Sequence, residues 1–202
     1  MPLLNSADIL SFHDAFLRAH KEEVAPLARL SMAAADAIEA NHSFNVQLWD
    51  EEDLARRKNV PDSEIAANKR AIDGFNQKRN DAIERIDEAL LSVLGQKQLA
   101  ADARLNSETA GGMIDRLSIL ALKIYHMNLQ TLRQDADEEH IATCRTKLAR
   151  LQEQRRDLAG CLDRLLAEFE AGKAYFKVYR QFKMYNDPKL NPCLYGAGDG
   201  KK

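Results

Sequence analysis

The sequence predicts an all-α protein, a bundle of about five or six helices with several long and antiparallel. Three observations predict it. Glycine and proline are scarce, 9 and 5 of 202 residues, so turns are few. Ile65–Val93 and Ile141–Phe169 carry apolar residues at helical spacing over many turns. No stretch alternates apolar and polar residues with the period of two that a half-buried strand needs. Residues 1–195 read as a single helical domain and 196–202 as a disordered tail.

The elements follow in order. Ser6 caps a first helix, and Pro26 marks its end, a kink, or the first turn of the next. A second helix runs from about Pro26 to Arg57, and Asn59-Val60-Pro61-Asp62 is a turn. Asp62 or Ser63 caps a third, which reaches Leu94 and is stopped by Gly95. A polar, alanine-rich stretch leads to Ser107, the expected cap of a fourth helix over Glu108–Leu132 whose first turn Gly111-Gly112 loosens. Asp135 or Asp137 opens a fifth helix through about Gly172. An aromatic and basic sixth helix is expected from Lys173 to Tyr185, ended by Asn186-Asp187-Pro188. The fourth helix is apolar nearly all round, so it is either central or part of a subunit interface.

Composition excludes several classes. Apolar residues make up 45% and charged residues 30%, which suits a folded chain. A net charge of -2 gives no global field for nucleic acid or acidic lipid. No apolar run approaches a membrane span, since the best one, Met113–Met127, contains Asp115, Arg116, Lys123 and His126. No membrane insertion and no nucleic-acid partner are therefore expected. The start lacks the basic and apolar regions of a signal peptide. Cys144, Cys161 and Cys193 are unpaired in pattern, and three scattered thiols suit a reducing cytoplasm. His13 and His20 read as packing or surface residues. No nucleophile elbow, phosphate loop or dinucleotide fingerprint is present, and no cofactor is expected. Gly111-Gly112 before a helix offers backbone amides to a phosphate or forms a plain flexible turn.

Two arginines sit inside apolar seams. Arg79 interrupts Ile65, Asn68, Ile72, Phe75, Ile83, Ile86, Leu90 and Val93; Arg155 interrupts Ile141, Cys144, Leu148, Leu151, Leu158, Leu162, Leu165 and Phe169. A seam arginine must meet an acid, an amide or a bound anion, because an unpaired buried charge is very costly. Beside the seams run polar stripes. The second helix carries Asn41, His42, Asn45, Trp49, Glu52 and Arg56, and the third carries Lys69, Asp73, Asn76, Asn80, Glu84 and Asp87. Facing one another, they would line a groove with Arg79 and Arg155 as anion contacts, the asparagines as hydroxyl contacts and Trp49 as a stacking surface. The plainer reading is solvated ion pairs at the bundle flanks that fix helix register.

Two further patterns were weighed. Glu39 and His42, like Asp137 and His140, stand three apart on one helical face, the spacing of carboxylate-bridged metal bundles if Glu52 and Glu84 supply further acids. Acids at a helix start explain the Asp137 pair equally well. Residues 172–193 interleave Tyr175, Phe176, Tyr179, Phe182 and Tyr185 with Lys173, Lys177, Arg180 and Lys183. As a helix this segment docks its aromatic face on the bundle, or its cations Lys177, Arg180 and Lys183 form a local anion site.

Four strings carry a resemblance: EANHSFNVQLWDEEDLARR at 39–57, KRAIDGFNQKRNDAIERIDE at 69–88, GMIDRLSILALKIYHM at 112–127 and YRQFKMYNDPKLNPC at 179–193. Together they resemble the bacterial domain-of-unknown-function family numbered 4254, over about Ala33 to Tyr195. The resemblance implies a bacterial, cytoplasmic, helical protein whose relatives often lie near glycosyltransferase genes for envelope polysaccharide. It implies no activity, ligand or catalytic residue. The expectation is a homodimeric binding or accessory protein, with a small anionic or sugar-like ligand in the inter-helix groove and a glycosyltransferase as partner. The alternatives are an enzyme using His42 as base or metal ligand with Glu39, Glu52 or Glu84, and a structural interaction module.

Overall fold

The computed structural model describes residues 4–18, 27, 30–94 and 98–195. Pro26, His20, Gly95 and the tail 196–202 lie outside the described residues. The elements are α1 (Ser6–Arg18), α2 (Met32–Leu54), α3 (Asp62–Leu94), β1 (Arg104–Leu105), α4 (Ala110–Thr131), α5 (Glu138–Glu170), β2 (Ala174–Tyr175), a 3-10 turn (Met184–Asn186) and α6 (Pro192–Tyr195). The protein is an all-α bundle, with α2–α3 and α4–α5 as two long hairpins.

The α2–α3 hairpin is antiparallel. Phe44 stacks on Phe75 and Asn68 donates to Glu51, so positions that rise along α2 fall along α3. Of the two roles expected for the fourth helix, the central one is observed: α4 touches α1, α2, α3 and α5. Its buried side covers two faces, with Ile114, Leu117 and Ala121 in the apolar core and Asp115 and Ser118 among the polar residues. Toward its C-terminal end the cover thins, and Leu129 and Leu132 are exposed. In α5 the seam residues Cys144, Arg155, Leu158, Leu162, Leu165 and Phe169 are all buried.

Several caps differ from the expected ones. Asn5, not Ser6, caps α1: its Oδ1 accepts from Asp8 N at 2.9 Å while its amide donates back to Asp8. Ser6 serves another purpose, donating its N–H and Oγ–H to the Asp163 carboxylate at 2.8 and 2.7 Å and tying α1 to α5. Ser31 caps α2, so that helix begins at Met32 rather than near Pro26. Thr109, not Ser107, caps α4 by accepting from Gly112 N at 3.0 Å. Of the two candidates for α5, Asp137 is the cap, accepting from His140 N at 2.7 Å.

The expected sixth helix over Lys173–Tyr185 is absent. Helix α5 ends at Glu170 with a Schellman turn: Gly172 N donates to Phe169 O and Lys173 N to Glu168 O, with Gly172 at φ +69°. The chain leaves extended, and β2 pairs in parallel with β1, Arg104 opposite Ala174. These strands, which the sequence reading did not expect, are two residues each. Ala174 and Phe176 point inward, and Phe176 packs on Phe169. Tyr175 is less covered and Lys177 is exposed. The alternation has period two, and aromatic residues interleaved with cations fit it as well as they fit a helix.

The start of α4 meets α3 without room to spare. A Cβ on Gly111 would lie 2.6 Å from Ile83 O and 2.9 Å from Asp87 Oδ1. The Gly111 N–H donates to that same carboxylate at 2.7 Å. Asp87 thus occupies a helix N-terminus where the sequence allowed an external phosphate.

Two outcomes follow. Gly111→Ala overpacks this contact and lowers unfolding free energy by about 1–3 kcal/mol, whereas Gly74→Ala, with open space around it, raises it by about 0.5–1 kcal/mol; urea denaturation of both variants reads the contrast. Burial pushes the Asp87 carboxyl up to about 6 from 3.8. A group with a raised folded pKa stabilises fully below pH 3.8 and loses that contribution as pH rises to about 6. Asp87→Asn should therefore match the parent protein in melting temperature near pH 4 and exceed it at pH 7.5.

Candidate functional site

A continuous polar seam crosses the core. At its centre Asp115 Oδ1 accepts from Asn41 Nδ2 and Asn45 Nδ2, each at 2.9 Å. The Arg79 Nε lies 3.9 Å from the same oxygen, an ion pair without a hydrogen bond. Asn45 Nδ2 also donates to Ser118 Oγ at 2.9 Å, which leaves the hydroxyl proton for His42 Nδ1 at 2.7 Å. His42 stacks on His13, ring centroids 4.4 Å apart, with Phe12 and Phe16 edge-on to it. Beyond them, on α5, Arg155 binds Asp14 Oδ1 at 2.8 Å and Leu10 O at 3.1 Å.

Helical geometry explains the assembly. Asn41 and Asn45 are one turn apart on α2, and Asp115 and Ser118 are one turn apart on α4. Each pair presents one face to the other. The asparagine stripe, expected at a groove, is the buried face of α2.

The cleft itself opens where this seam reaches the surface between α2, α3 and α4. It measures about 300 Å³ and is lined by Asn45, Leu48, Trp49, Glu52, Asp53, Arg56, Asn76, Arg79, Ile119 and Leu122. Two buried donors there, Trp49 Nε1 and Arg79 Nε, have no hydrogen-bond partner among the described residues. One turn apart, Arg56 pairs with Glu52 at 2.7 Å. The Trp49 ring already stacks on His126, at 4.3 Å and 8°, so one of its faces is taken. Trp49 and His126 also wall a second, more apolar groove of about 640 Å³ against Met127 and Leu151.

The expected residues divide. Asn45, Trp49, Glu52, Arg56, Asn76 and Arg79 meet at the cleft. Asn41 stands behind it as an Asp115 partner. Asn80 is buried in α3 without lining the cleft, and Asp73 is exposed. Arg155 is on the far side of the core beside α1, because α5 packs on α4 and α1 rather than on α2 and α3. His42 is wholly buried and does not line the cleft. Its proposed acid partner Glu84 instead holds Arg180, and Glu39 is exposed while His42 is enclosed. Asp137 is spent as a cap, and His140 Nε2 lies 3.4 Å from Cys144 Sγ. Among the described residues no three His, Cys, Asp or Glu side chains converge as a metal site would require.

The expected anion site at the basic end is also dispersed. Arg180 is neutralised by Glu84 and Glu88. Lys177 sits 6.0 Å over the Tyr175 ring, and Lys183 is half-buried. In an extended segment these three cations do not share a helical face.

Asp115 and Ser118 were missed as site residues. Their signal was present: two polar side chains at i, i+3, off the Arg116–Lys123 side of the helix and next to its apolar face.

Burial holds the histidine pair neutral, and the Arg155 charge adds to the effect. The pKa of His42 falls to about 4 from 6.5, and that of His13 falls well below 6.5. For a depressed folded pKa the stabilisation is present above pH 6.5 and lost as pH falls toward 4. For His42 this is on the order of 3 kcal/mol. His42→Asn should be less stable at pH 7 but show a shallower loss of stability between pH 6.5 and 4, read from melting temperatures across that window.

A family model described as "Protein of unknown function (DUF4254)" matches residues 35–178. No curated protein and no solved structure matches the chain. The family match takes in α2 to α5, and with them the seam from Asn41 to Arg155 and the whole α2–α3–α4 cleft. By that match, over more than half of its length, the chain belongs to the DUF4254 family.

Proposed function

We propose that this chain is a binding or accessory protein whose α2–α3–α4 cleft holds a small anionic or sugar-like ligand. It acts in the bacterial cytoplasm as a homodimer, beside a glycosyltransferase of surface-polysaccharide synthesis. The observation that carries the ligand reading is that Trp49 and Arg79 both line the cleft and each carries a buried donor, Nε1 and Nε, with no acceptor among the described residues. A buried donor left unpaired costs about 1–3 kcal/mol, and a ligand oxygen that reached either nitrogen would recover that cost.

The remaining lining supports a polyhydroxylated anion over a bare ion. Asn45, Asn76 and Glu52 stand at the same cleft and offer both donors and acceptors to hydroxyl groups. Arg56 and Arg79 answer the negative charge. The cleft volume of about 300 Å³ suits a monosaccharide phosphate. The glycan context rests on the gene association that the family resemblance implies. Three free cysteines agree with a reducing compartment. The enzyme reading with His42 as base is weaker because His42 is enclosed and does not line the cleft.

Calorimetry with glucose 1-phosphate, UDP-glucose, glucose and inorganic phosphate tests the proposal. Phosphorylated sugars should bind, and glucose or phosphate alone should bind at least about tenfold more weakly, the worth of one lost contact. Arg79→Met should lose at least about tenfold in affinity for the phosphorylated sugar while keeping its helical signal. Equal binding by Arg79→Met, or no binding by any of the four compounds, overturns the proposal.

A further inference from the structure

A further cleft, distinct from both the α2–α3–α4 cleft and the Trp49–His126 groove, lies on the side of α4 opposite the first, between α1, α4 and α5, and has about 650 Å³. Its chemistry differs from that of the first. Leu10, Leu17, Ile124 and Leu148 give it an apolar stretch, beside the amides of Asn128 and Gln152. Three arginines also line it, Arg18, Arg155 and Arg156, with Asp14 as the one acid among the described lining residues.

Arg155 is the informative residue. It is 9% exposed. One Nη donates to Asp14 and to the Leu10 carbonyl. Its Nε, also buried, has no acceptor among the described residues. Two further arginines line the same cleft, so its described lining residues carry an excess of positive charge beside an apolar stretch. A hydrophilic sugar would waste that stretch, and a hydrocarbon would waste the charge.

We propose that this cleft binds an amphipathic anion, an apolar chain or ring system carrying one acidic head, with the head at Arg155 and the apolar body along Leu148 and Ile124. The volume of about 650 Å³ admits a ligand of medium chain length. The site is independent of the sugar-binding proposal, because the buried Asp115–Ser118–His42 seam separates the two clefts.

The test uses the full chain with decanoate, decyl phosphate, decanol and inorganic phosphate, measured by titration calorimetry. Decanoate and decyl phosphate should both bind, and decanol and phosphate should each bind at least about tenfold more weakly. A preference of tenfold or more between the two heads tells a carboxylate source from a phosphate source. Arg155→Gln should lose tenfold or more in affinity. Because Arg155 also ties α1 to α5, a second variant keeps the result interpretable: Leu148→Trp fills the cleft and leaves the Arg155–Asp14 pair alone. It should fold and lose decanoate binding. Arg79→Met should retain it. The proposal is overturned if decanol binds as tightly as decanoate, if inorganic phosphate alone does so, if neither decyl compound binds, or if folded Leu148→Trp binds decanoate like the parent protein. Loss of decanoate binding in a folded Arg79→Met variant would also overturn it, by placing the ligand in the first cleft.

Discussion

The structure depends on one enclosed carboxylate. Asp115 lies in the middle of the bundle, 7% exposed, and an ion in that position must be answered by its neighbours. Two asparagine amides from α2 converge on one of its oxygens, and Arg79 of α3 supplies the nearest positive charge. Three helices are thereby registered to one another. Sliding α2 by one residue would turn Asn41 and Asn45 away and leave the carboxylate bare. Apolar packing sets which faces meet, and this group sets their alignment. The same arrangement explains the cleft: Asp115 is served by amides, so the guanidinium beside it keeps hydrogen-bonding capacity for something else.

The fold class was legible because long seams with helical spacing are hard to mistake. Seam residues such as Ile72, Ile86, Leu158 and Leu162 are indeed core residues. Pairing was less legible. Arg79 and Arg155 look alike in sequence, each one polar member of an apolar stripe, yet they serve opposite sides of α4. One helix face does not state which other helix will cover it. The caps were misplaced by one or two residues, since Asn5, Ser6, Ser107 and Thr109 are all competent and only tertiary partners choose among them. Ser6 was taken by Asp163, which is distant in sequence.

The polar stripe of α2 shows the same lesson at the site. Helical spacing puts Asn41, His42 and Asn45 on one polar stripe. In the structure α4 brings Asp115 and Ser118 to satisfy that stripe, so Asn41 and His42 are enclosed and only Asn45 also reaches the cleft. Polar residues mark a core position when a second helix carries the complementary set at matching spacing. Glu52 and Arg56, two and three turns further along, pass beyond the reach of those partners and emerge at the surface.

The short parallel pairing of Arg104 with Ala174 joins positions seventy residues apart, with α4 and α5 between them. Gly172 permits the reversal that brings the chain back, and no residue with a Cβ fits there, since the atom would lie 2.7 Å from the Gln98 carbonyl. Closing so wide a loop early in folding has a large entropic cost for very few bonds. The clasp therefore forms after the helical hairpin it brackets has zipped, and acts as a latch on a bundle already assembled.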